Sequence, residues 1–460
     1  MWCIDKAVDA YTMKKDEDVL NQLVVNEDPA AARLSKRQRQ RTAFSGTLGT
    51  ALEFYDFAIY GLAAGTVFKQ VFFPEATPVV GLIASLATFA VGYVARPVGG
   101  IVLGAVGDKI GRKAILVWTV VVMGVASTLI GLLPTYAQVG VLAPALLVLL
   151  RIIQGLGAGA ELASSSTLLV ESAHPQRRGL IGALVGIGTN GGTLLASGAW
   201  LAVATLPQDA LLSWGWRIPF LLSILIAGVG LWMRRGVSES PTFEATKDKA
   251  PAQSIVGIYS NLLRRSTGRM LACIGLRWGE NGISTIFLVF FVGQLVTITK
   301  GDPSVGSLAI VLSALAGFIT VPLFGHLSDR FGRRPMYLAL SIFQLVSAFP
   351  AVWMIQTGQT AWVVLAFVLA YSIGVMGMYA VQSAYMVELF GSRSRLAAVT
   401  SSKELGALTS GGFAPVICAA LVGLTGSLWI VAGYMSFLAL VSVVSVALLP
   451  ETKGRDLLAT

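Results

Sequence analysis

The sequence predicts an all-α membrane protein with twelve transmembrane helices, arranged as two pseudo-symmetric six-helix bundles. Three observations predict this fold class: a very apolar composition, twelve apolar stretches of spanning length, and a motif repeated in the two halves of the chain. Together they favour a transporter, because two related bundles with a site between them are a common transporter architecture.

The composition is typical of a protein surrounded by lipid. The 460 residues are 55% hydrophobic and 13% charged, whereas soluble domains are about 25% charged. The net charge of +10 does not indicate nucleic-acid binding, because the basic residues lie in short loops between apolar stretches. Cys3, Cys273 and Cys418 are far apart, so they predict neither a disulfide framework nor a metal site.

The apolar stretches are long enough to cross a bilayer, which takes about 20 residues at 1.5 Å rise per residue. Several are longer, so we expect tilted helices or helices that extend beyond the bilayer. The predicted spans are 43–70, 78–106, 113–133, 140–171, 179–205, 215–235, 268–298, 304–327, 335–356, 360–389, 395–424 and 427–449.

Lysine and arginine residues predict the orientation. Most of those outside the spans fall on one side, and the other side has only Lys69, Arg217 and Lys300. Cytoplasmic loops carry the excess of these residues. We therefore expect a multi-pass protein of the plasma (inner) membrane with both termini in the cytoplasm.

A loop motif occurs once in each half of the chain. GAVGDKIGRK at 104–113 matches GHLSDRFGRR at 325–334, with glycine, acid, glycine and two bases at the same spacing. Six spans therefore repeat as six spans. The predicted organisation is an N-terminal cytoplasmic tail at 1–42, a bundle at 43–235, a cytoplasmic loop at 236–267, a bundle at 268–449 and a cytoplasmic tail at 450–460.

Several stretches carry a family resemblance: GTALEFYDFAIYG, ARPVGGIVLGAVGDKIGRK, RIIQGLGAGAE, WGWRIPFLL, SESPTFE and PETKGR. From about residue 43 onward, the chain resembles the major facilitator superfamily. Within it, the chain resembles the metabolite–proton symporter branch of shikimate, dicarboxylate and proline–betaine transporters. The resemblance implies the major facilitator fold and proton-coupled uptake of a small organic solute, commonly a carboxylate or a zwitterion. RWGENG in span seven departs from this pattern and has no assigned substrate.

The repeated motif is predicted to form a cytoplasmic gate. By resemblance, Asp108 faces the start of span eleven, where the helix dipole favours a carboxylate by roughly 0.3–1 kcal/mol. Arg112 is then available to pair with Glu171. The alternative is that the motif sets only topology and turn shape. The predicted gate residues are Gly104, Asp108, Gly111, Arg112 and Glu171, with Asp329, Arg333 and Glu388 as the weaker counterpart.

Ionisable residues also fall well inside the spans, where each must pair or lose its charge. If all the bases pair, one carboxylate is left, and such a carboxylate can carry a proton. The acids are Glu53, Asp56, Glu161, Glu280 and Glu404, and the bases are Arg96, Arg151, Arg277 and Lys403.

Roles follow from depth and charge. Glu53 and Asp56 lie about 15–20 Å into span one, near the midplane, so one of them is predicted to carry the proton. Arg151 either pairs with a span-one acid or senses its charge. The other predicted substrate-binding residues are Arg277, Glu280, Asn281, Tyr60, Arg96, Asn190, Tyr379 and Gln382.

Some of these residues have structural alternatives. Arg96 is explained as well by a structural pair with Glu161 or Glu53 as by substrate binding. Lys403 and Glu404 are interpreted as a local structural pair. GIGTNGG at 186–192 contains the G-x-G-x-x-G of dinucleotide sites, but it has no preceding strand. Its glycines fit close helix contact instead.

The predicted function is a secondary active transporter that imports a small organic solute, a carboxylate metabolite, by proton symport through alternating access. A zwitterionic compatible-solute symporter, a proton-independent facilitator and a non-transporting sensor with the same fold are the alternatives. The expected partners are the solute, protons and the lipid bilayer. No nucleic acid, cofactor, metal or enzymatic activity is expected, and the protein is expected to be monomeric.

Overall fold

The structure is a computed structural model that describes residues 36–110, 112–159, 166–167, 169–171, 173–234, 262, 264, 266–299, 302, 304–391, 395–455 and 457. Side chains are described for all of these except 36–46, 48, 104–116 and 233–234.

Twelve long helical segments account for most of these residues, which contain no strand. Eight are long and apolar enough to cross a membrane by themselves, and a bent pair at Gln208–Gly215 and Arg217–Trp232 makes a ninth. The segments are α1 Lys36–Thr66, α2 Pro78–Ile110, α3 Arg112–Gly131, α4 Leu142–Ala158, α5 Arg178–Ala204, α6 Arg217–Arg234, α7 Thr267–Ile298, α8 Ser304–Phe331, α9 Arg333–Gln356, α10 Thr360–Glu388, α11 Arg395–Thr425 and α12 Trp429–Leu448.

The surface of the bundle is apolar and its interior is partly polar. Exposed side chains include Leu424 at 85%, Leu448 at 76% and Ile319 at 72%. Arg151 and Arg333 are by contrast fully buried. Lipid needs no polar surface, and charged groups lie where other protein groups can satisfy them. The fold is therefore the predicted multi-pass membrane fold.

Helices α1–α6 form the first half and α7–α12 the second. We call the end where α1 begins and α12 ends the terminal face, and the other end the opposite face. Glycine with positive φ makes the tight turns at Gly332, between α8 and α9, and at Gly426, between α11 and α12. The predicted twelve-helix fold in two bundles is confirmed, whereas the predicted domain boundaries stay a prediction.

The two halves contact each other near both faces. Towards the opposite face, a Cβ atom on Gly65 of α1 would lie 2.5 Å from the carbonyl oxygen of Val289 on α7. Towards the terminal face, Asp329 of α8 bonds to the start of α5. In the described residues the two halves therefore touch near both faces.

Wide π-helical turns interrupt helices of the second half. They occur at Trp278–Gly282 and Ile286–Phe291 in α7, at Phe367–Val375 in α10 and at Leu408–Gly412 in α11. The first of these comprises the last five residues of the RWGENG stretch, and within it the Gly279 N–H donates to Ser442 Oγ of α12 at 2.8 Å. Such turns are frequent at functional sites because they change the direction of side chains.

Candidate functional site

A buried ion triad joins α1, α2 and α11. Arg96 of α2 lies 2.6 Å from Glu53 Oε1 of α1 and 2.8 Å from Glu404 Oε2 of α11. All three side chains are at most 5% exposed. Arg96 therefore pairs with Glu53, as one predicted alternative stated, and also connects the two halves. The other predicted partner, Glu161, lies outside the described residues.

Asp56 has a different environment from Glu53, although both are buried in α1. Its Oδ1 accepts a hydrogen bond of 2.8 Å from Ser223 of α6, and Ser127 of α3 also bonds to the carboxyl group. In the described part of the chain it makes no salt bridge. A small pocket between α1, α3 and α6 adjoins it. Asp56 is thus a buried acid held by hydroxyls, not by a base.

Arg151 of α4 is connected to Asp56 through two other side chains. Its guanidinium donates to Gln154, whose amide donates to Ser127 Oγ at 2.6 Å. Ser127 in turn contacts Asp56. Arg151 is therefore connected to Asp56 only indirectly and does not pair with it. That Arg151 senses the charge of Asp56 stays a prediction.

Aromatic rings surround the Arg151 guanidinium. Its central carbon lies 4.1 Å from the ring centroid of Tyr60, 4.4 Å from that of Phe57 and 5.2 Å from that of Phe89. The Tyr60 hydroxyl lies 2.7 Å from Thr88 Oγ1, to which it donates. Ring faces attract a cation, and the attraction is stronger away from water. The rings help to stabilise a guanidinium that makes no salt bridge in the described part of the chain.

In the second half, a polar cluster forms beside the first wide turn of α7. Arg277 donates to Glu280 on the same helix and to Gln382 of α10, the latter at 3.3 Å. Gln382 donates to the Tyr337 hydroxyl of α9 at 3.1 Å. The structure brings Arg277, Glu280 and Gln382 together, and that these residues bind substrate stays a prediction.

Other predicted substrate residues lie at contacts between helices. Asn190 of α5 donates to the Ala314 carbonyl of α8, and Thr189 of α5 lies 3.3 Å from the Tyr379 hydroxyl of α10. Asn281 packs against Gly411 of α11. Asn190 is therefore part of the contact between the halves and is separate from the arginine clusters.

At the terminal face, the second copy of the repeated motif makes a contact between the two halves. Asp329 accepts hydrogen bonds of 2.8 Å from the backbone N–H groups of Gly179 and Leu180, the first residues of α5 after Arg178. Arg333 also donates to Asp329, at 2.8 Å. A carboxylate is favoured at a helix N-terminus. The second copy of the motif thus makes across the halves the type of contact predicted for Asp108.

Arg333 and Glu388, the other residues of the predicted second-half gate, extend this network of contacts. Arg333 Nε lies 3.2 Å from Glu388 Oε2, which also accepts a 2.7 Å hydrogen bond from Thr452. In the first half, Glu171 pairs at 2.5 Å with Arg395, at the start of α11. Its predicted pairing with Arg112 involves a side chain outside the described residues and stays a prediction. The structure describes only the backbone of Gly104, Asp108 and Arg112. Gly111 lies outside the described residues.

The end of the chain runs across the terminal face. Glu451 accepts hydrogen bonds of 2.8–3.0 Å from four backbone N–H groups, those of Arg333, Arg334, Thr452 and Lys453. Burial alone would raise the pKa of Glu451, but these N–H groups hold the pKa below its usual value. Contacts to the tail include one from the first half, where Arg178 donates to the Arg455 carbonyl at 2.6 Å.

Sequence reasoning missed several of these residues. Ser127 and Ser223 belong to no motif, and Gln154, although it lies in the RIIQGLGAGAE stretch, was not singled out. Which groups these three side chains contact depends on helix rotation. Lys403 and Glu404 were interpreted as a local pair, but Glu404 pairs with Arg96, whereas Lys403 bonds to Ser166 of the first half. Adjacent residues on a helix point in different directions. This spacing alone argues against a pair between Lys403 and Glu404.

The described residues hold no group of acids, histidines or cysteines that could bind a metal ion. Cys273 and Cys418 are buried free thiols.

Comparison with known proteins places these features in a family. Residues 42–256 match the family model "Sugar (and other) transporter", and residues 281–458 match "Major Facilitator Superfamily". The chain is 39% identical to the putative transporter YdfJ of Escherichia coli (strain K12), covering 88% of this chain and 95% of that protein.

Relatives with a named cargo are also similar along most of their length. The shikimate transporter of Escherichia coli (strain K12) is 34% identical and covers 94% of this chain, and all of that protein is matched. The proline/betaine transporter of the same strain is 31% identical, with 90% of this chain and 84% of that protein matched.

Among solved structures, the fold is similar to that of the xylose transporter XylE from E. coli in a partially occluded inward-open conformation. The TM-score is 0.73 at 17% identity, and the match covers 92% of this chain and 100% of that chain. At this identity the likeness shows the fold alone.

Proposed function

The chain belongs to the major facilitator superfamily of secondary transporters, and we propose that it imports a small carboxylate by proton symport through alternating access. We further propose that the terminal face is cytoplasmic, in the plasma (inner) membrane, and that the protein works as a monomer. Family membership also accounts for the expectation that the chain is not an enzyme.

One observation carries the coupling part of this proposal. Asp56 is buried near the midplane and held by Ser223 and Ser127, and its connection to Arg151 runs through Gln154. Glu53 is paired with Arg96. A carboxylate without a bonded base can lose its charge at lower free-energy cost than a paired one. We therefore assign the proton to Asp56 and a structural pairing to Glu53.

The substrate part rests on charge and on the relatives. The names of relatives include shikimate and proline/betaine, and each of these solutes carries a carboxylate. In the described residues, arginines line both halves of the interior, Arg151 in the first and Arg277 in the second. An anion that enters with a proton adds no net charge to this interior, which links the two binding events.

Uptake into proteoliposomes tests the proposal and separates it from its alternatives. Radiolabelled shikimate and glycine betaine are supplied with and without an imposed inward proton gradient. A symporter accumulates at least one of them only with the gradient. A facilitator equilibrates it under both conditions, and a sensor binds without uptake; either result contradicts proton symport.

A further inference from the structure

Lys403 is a buried lysine at the contact between the two halves. Its side chain lies on α11 at 3% exposure, and its ammonium group donates to Ser166 Oγ of the first half at 2.7 Å. In the described part of the chain, that bond is the only direct polar contact of the ammonium, and no salt bridge involves it. The adjacent residue, Glu404, points to Arg96 instead.

The acids around Lys403 are already paired. Glu280, Glu404 and Glu53 lie within electrostatic range of the ammonium. Glu280 is bonded to Arg277, and the other two are bonded to Arg96. Among the described residues, the lysine charge is therefore balanced only at a distance, which is a weak compensation for the hydration that a buried ammonium loses.

A second cation lies near the first. Arg277 is also within electrostatic range of Lys403, and its Nε atom is buried without a hydrogen-bond partner in the described structure. Two like charges in a low-dielectric interior raise the free energy unless an anion joins them. An ammonium has three N–H donors, and the bond to Ser166 uses one of them.

We propose that Lys403 binds the carboxylate group of the transported solute, with Arg277 as the second cation of the site. This inference rests on the proposed function and names the side chain that recognises the substrate class. Charged hydrogen bonds from an ammonium and a guanidinium suit a carboxylate and discriminate against its uncharged ester.

The position of Lys403 also connects binding with conformational change. Its present partner, Ser166, belongs to the first half, while Lys403 belongs to the second. A carboxylate that takes donors from Lys403 replaces or extends a contact between the halves. Solute binding at this position therefore changes the interaction that holds α11 against the α4 side of the first half.

The test measures affinities of the purified full-length protein for shikimate, glycine betaine and methyl shikimate, by titration calorimetry in detergent. The wild type is expected to bind at least one of the two carboxylates and to reject methyl shikimate. In Lys403→Met, the affinity for that carboxylate is expected to fall about ten- to hundredfold. Lys403→Arg keeps the charge and is expected to retain part of the discrimination.

Ser166→Ala is the matched control for a structural role. It removes the hydrogen bond of Lys403 but leaves the charge. If Lys403 only ties α11 to the first half, Ser166→Ala lowers affinity as much as Lys403→Met does, and the proposal is overturned. If Lys403→Met binds the carboxylate as the wild type does, the proposal also fails while the transport function stands. Failure of the wild type to bind either carboxylate overturns both.

Discussion

Glu53 and Asp56 are three residues apart on α1, yet their partners differ in kind. Glu53 pairs with a guanidinium at 2.6 Å, and Asp56 accepts a hydroxyl at 2.8 Å. The guanidinium favours the charged form of its partner strongly, whereas hydroxyls can hydrogen-bond either form of a carboxyl group. This difference is the residue-scale basis for assigning proton transfer to Asp56.

Asp56→Asn is therefore expected to uncouple transport from the proton gradient. Proton-driven accumulation in proteoliposomes should fall to the level seen without a gradient, while solute counterflow continues, because the substrate contacts proposed for Arg277 and Lys403 are intact. Asp209→Asn, on the exposed connection before α6, serves as the control. Persistent gradient-driven accumulation in Asp56→Asn would exclude this carboxylate as the proton carrier.

Residue types were predictable at this scale, but pairings were not. A charged residue inside an apolar span is conspicuous in the sequence, so Asp56, Arg151 and Arg277 could be identified. The pairing of Arg96 with Glu404 joins positions far apart in the chain. It depends on helix rotation and packing, which hydrophobic periodicity does not determine to within one residue.

At the scale of elements, glycines set the distance between α1 and α5. A Cβ atom on Gly188 would lie 2.1 Å from the Thr47 carbonyl oxygen, and one on Gly192 would lie 2.1 Å from that of Ala51. The structure thus agrees with the interpretation of GIGTNGG as a helix contact. Close approach of backbones is a principal stabilising feature between helices in lipid.

Gly188→Ala is expected to lower thermal stability in detergent, because α1 and α5 must separate to admit the methyl group. Overpacking of this kind costs about 1–3 kcal/mol. Gly198 lies on the same helix with nothing within 4 Å of a Cβ atom. Gly198→Ala should be neutral or stabilise by about 0.5–1 kcal/mol. Equal melting temperatures for the two variants would contradict this role for Gly188.

The N-terminus of α5 is the second element with a functional contact. Asp329 reaches it from α8, so the bond exists only while the halves touch at the terminal face. The proposed transport cycle requires this contact to break when the cytoplasmic side opens. The type of contact was predictable from the repeated motif, whereas its presence in this conformation was not.

Asp329→Asn is expected to favour the state that is open at the terminal face. The charge at the helix N-terminus contributes up to about 2 kcal/mol when partly buried, which corresponds to a population change of roughly 5- to 30-fold. Distances between spin labels on the loops of the two halves measure this change. Asp302→Asn, which removes the charge of a carboxylate that accepts a hydrogen bond from the Ser304 N–H within one half, should leave the distances unaltered.

At the scale of the whole molecule, the C-terminal segment connects the halves from outside the spans. Arg178 of the first half donates to the Arg455 carbonyl, and Glu451 binds the first N–H groups of α9. Composition and basic loops predicted the twelve-helix fold, because these signals repeat in every span. Composition and basic loops do not predict the path of the short polar segment after α12. Most hydrogen bonds of that segment involve backbone groups, which leave no pattern in the sequence.

The lowered pKa of Glu451 makes this connection sensitive to acid. Because the folded state holds the carboxylate more strongly than the unfolded state does, its stabilisation is fully present above the unfolded pKa of about 4.3. The stabilisation is lost as the pH falls through the lower folded pKa.

We expect Glu451→Gln to melt below the wild type at neutral pH, and the difference to shrink on acidification through this range. Melting curves of both proteins at stepped pH, with Glu75→Gln on the opposite face as the control, measure it. A difference that grows with acidity would mean that Glu451 stabilises the fold in its protonated form, which would contradict stabilisation by the carboxylate and its backbone N–H partners.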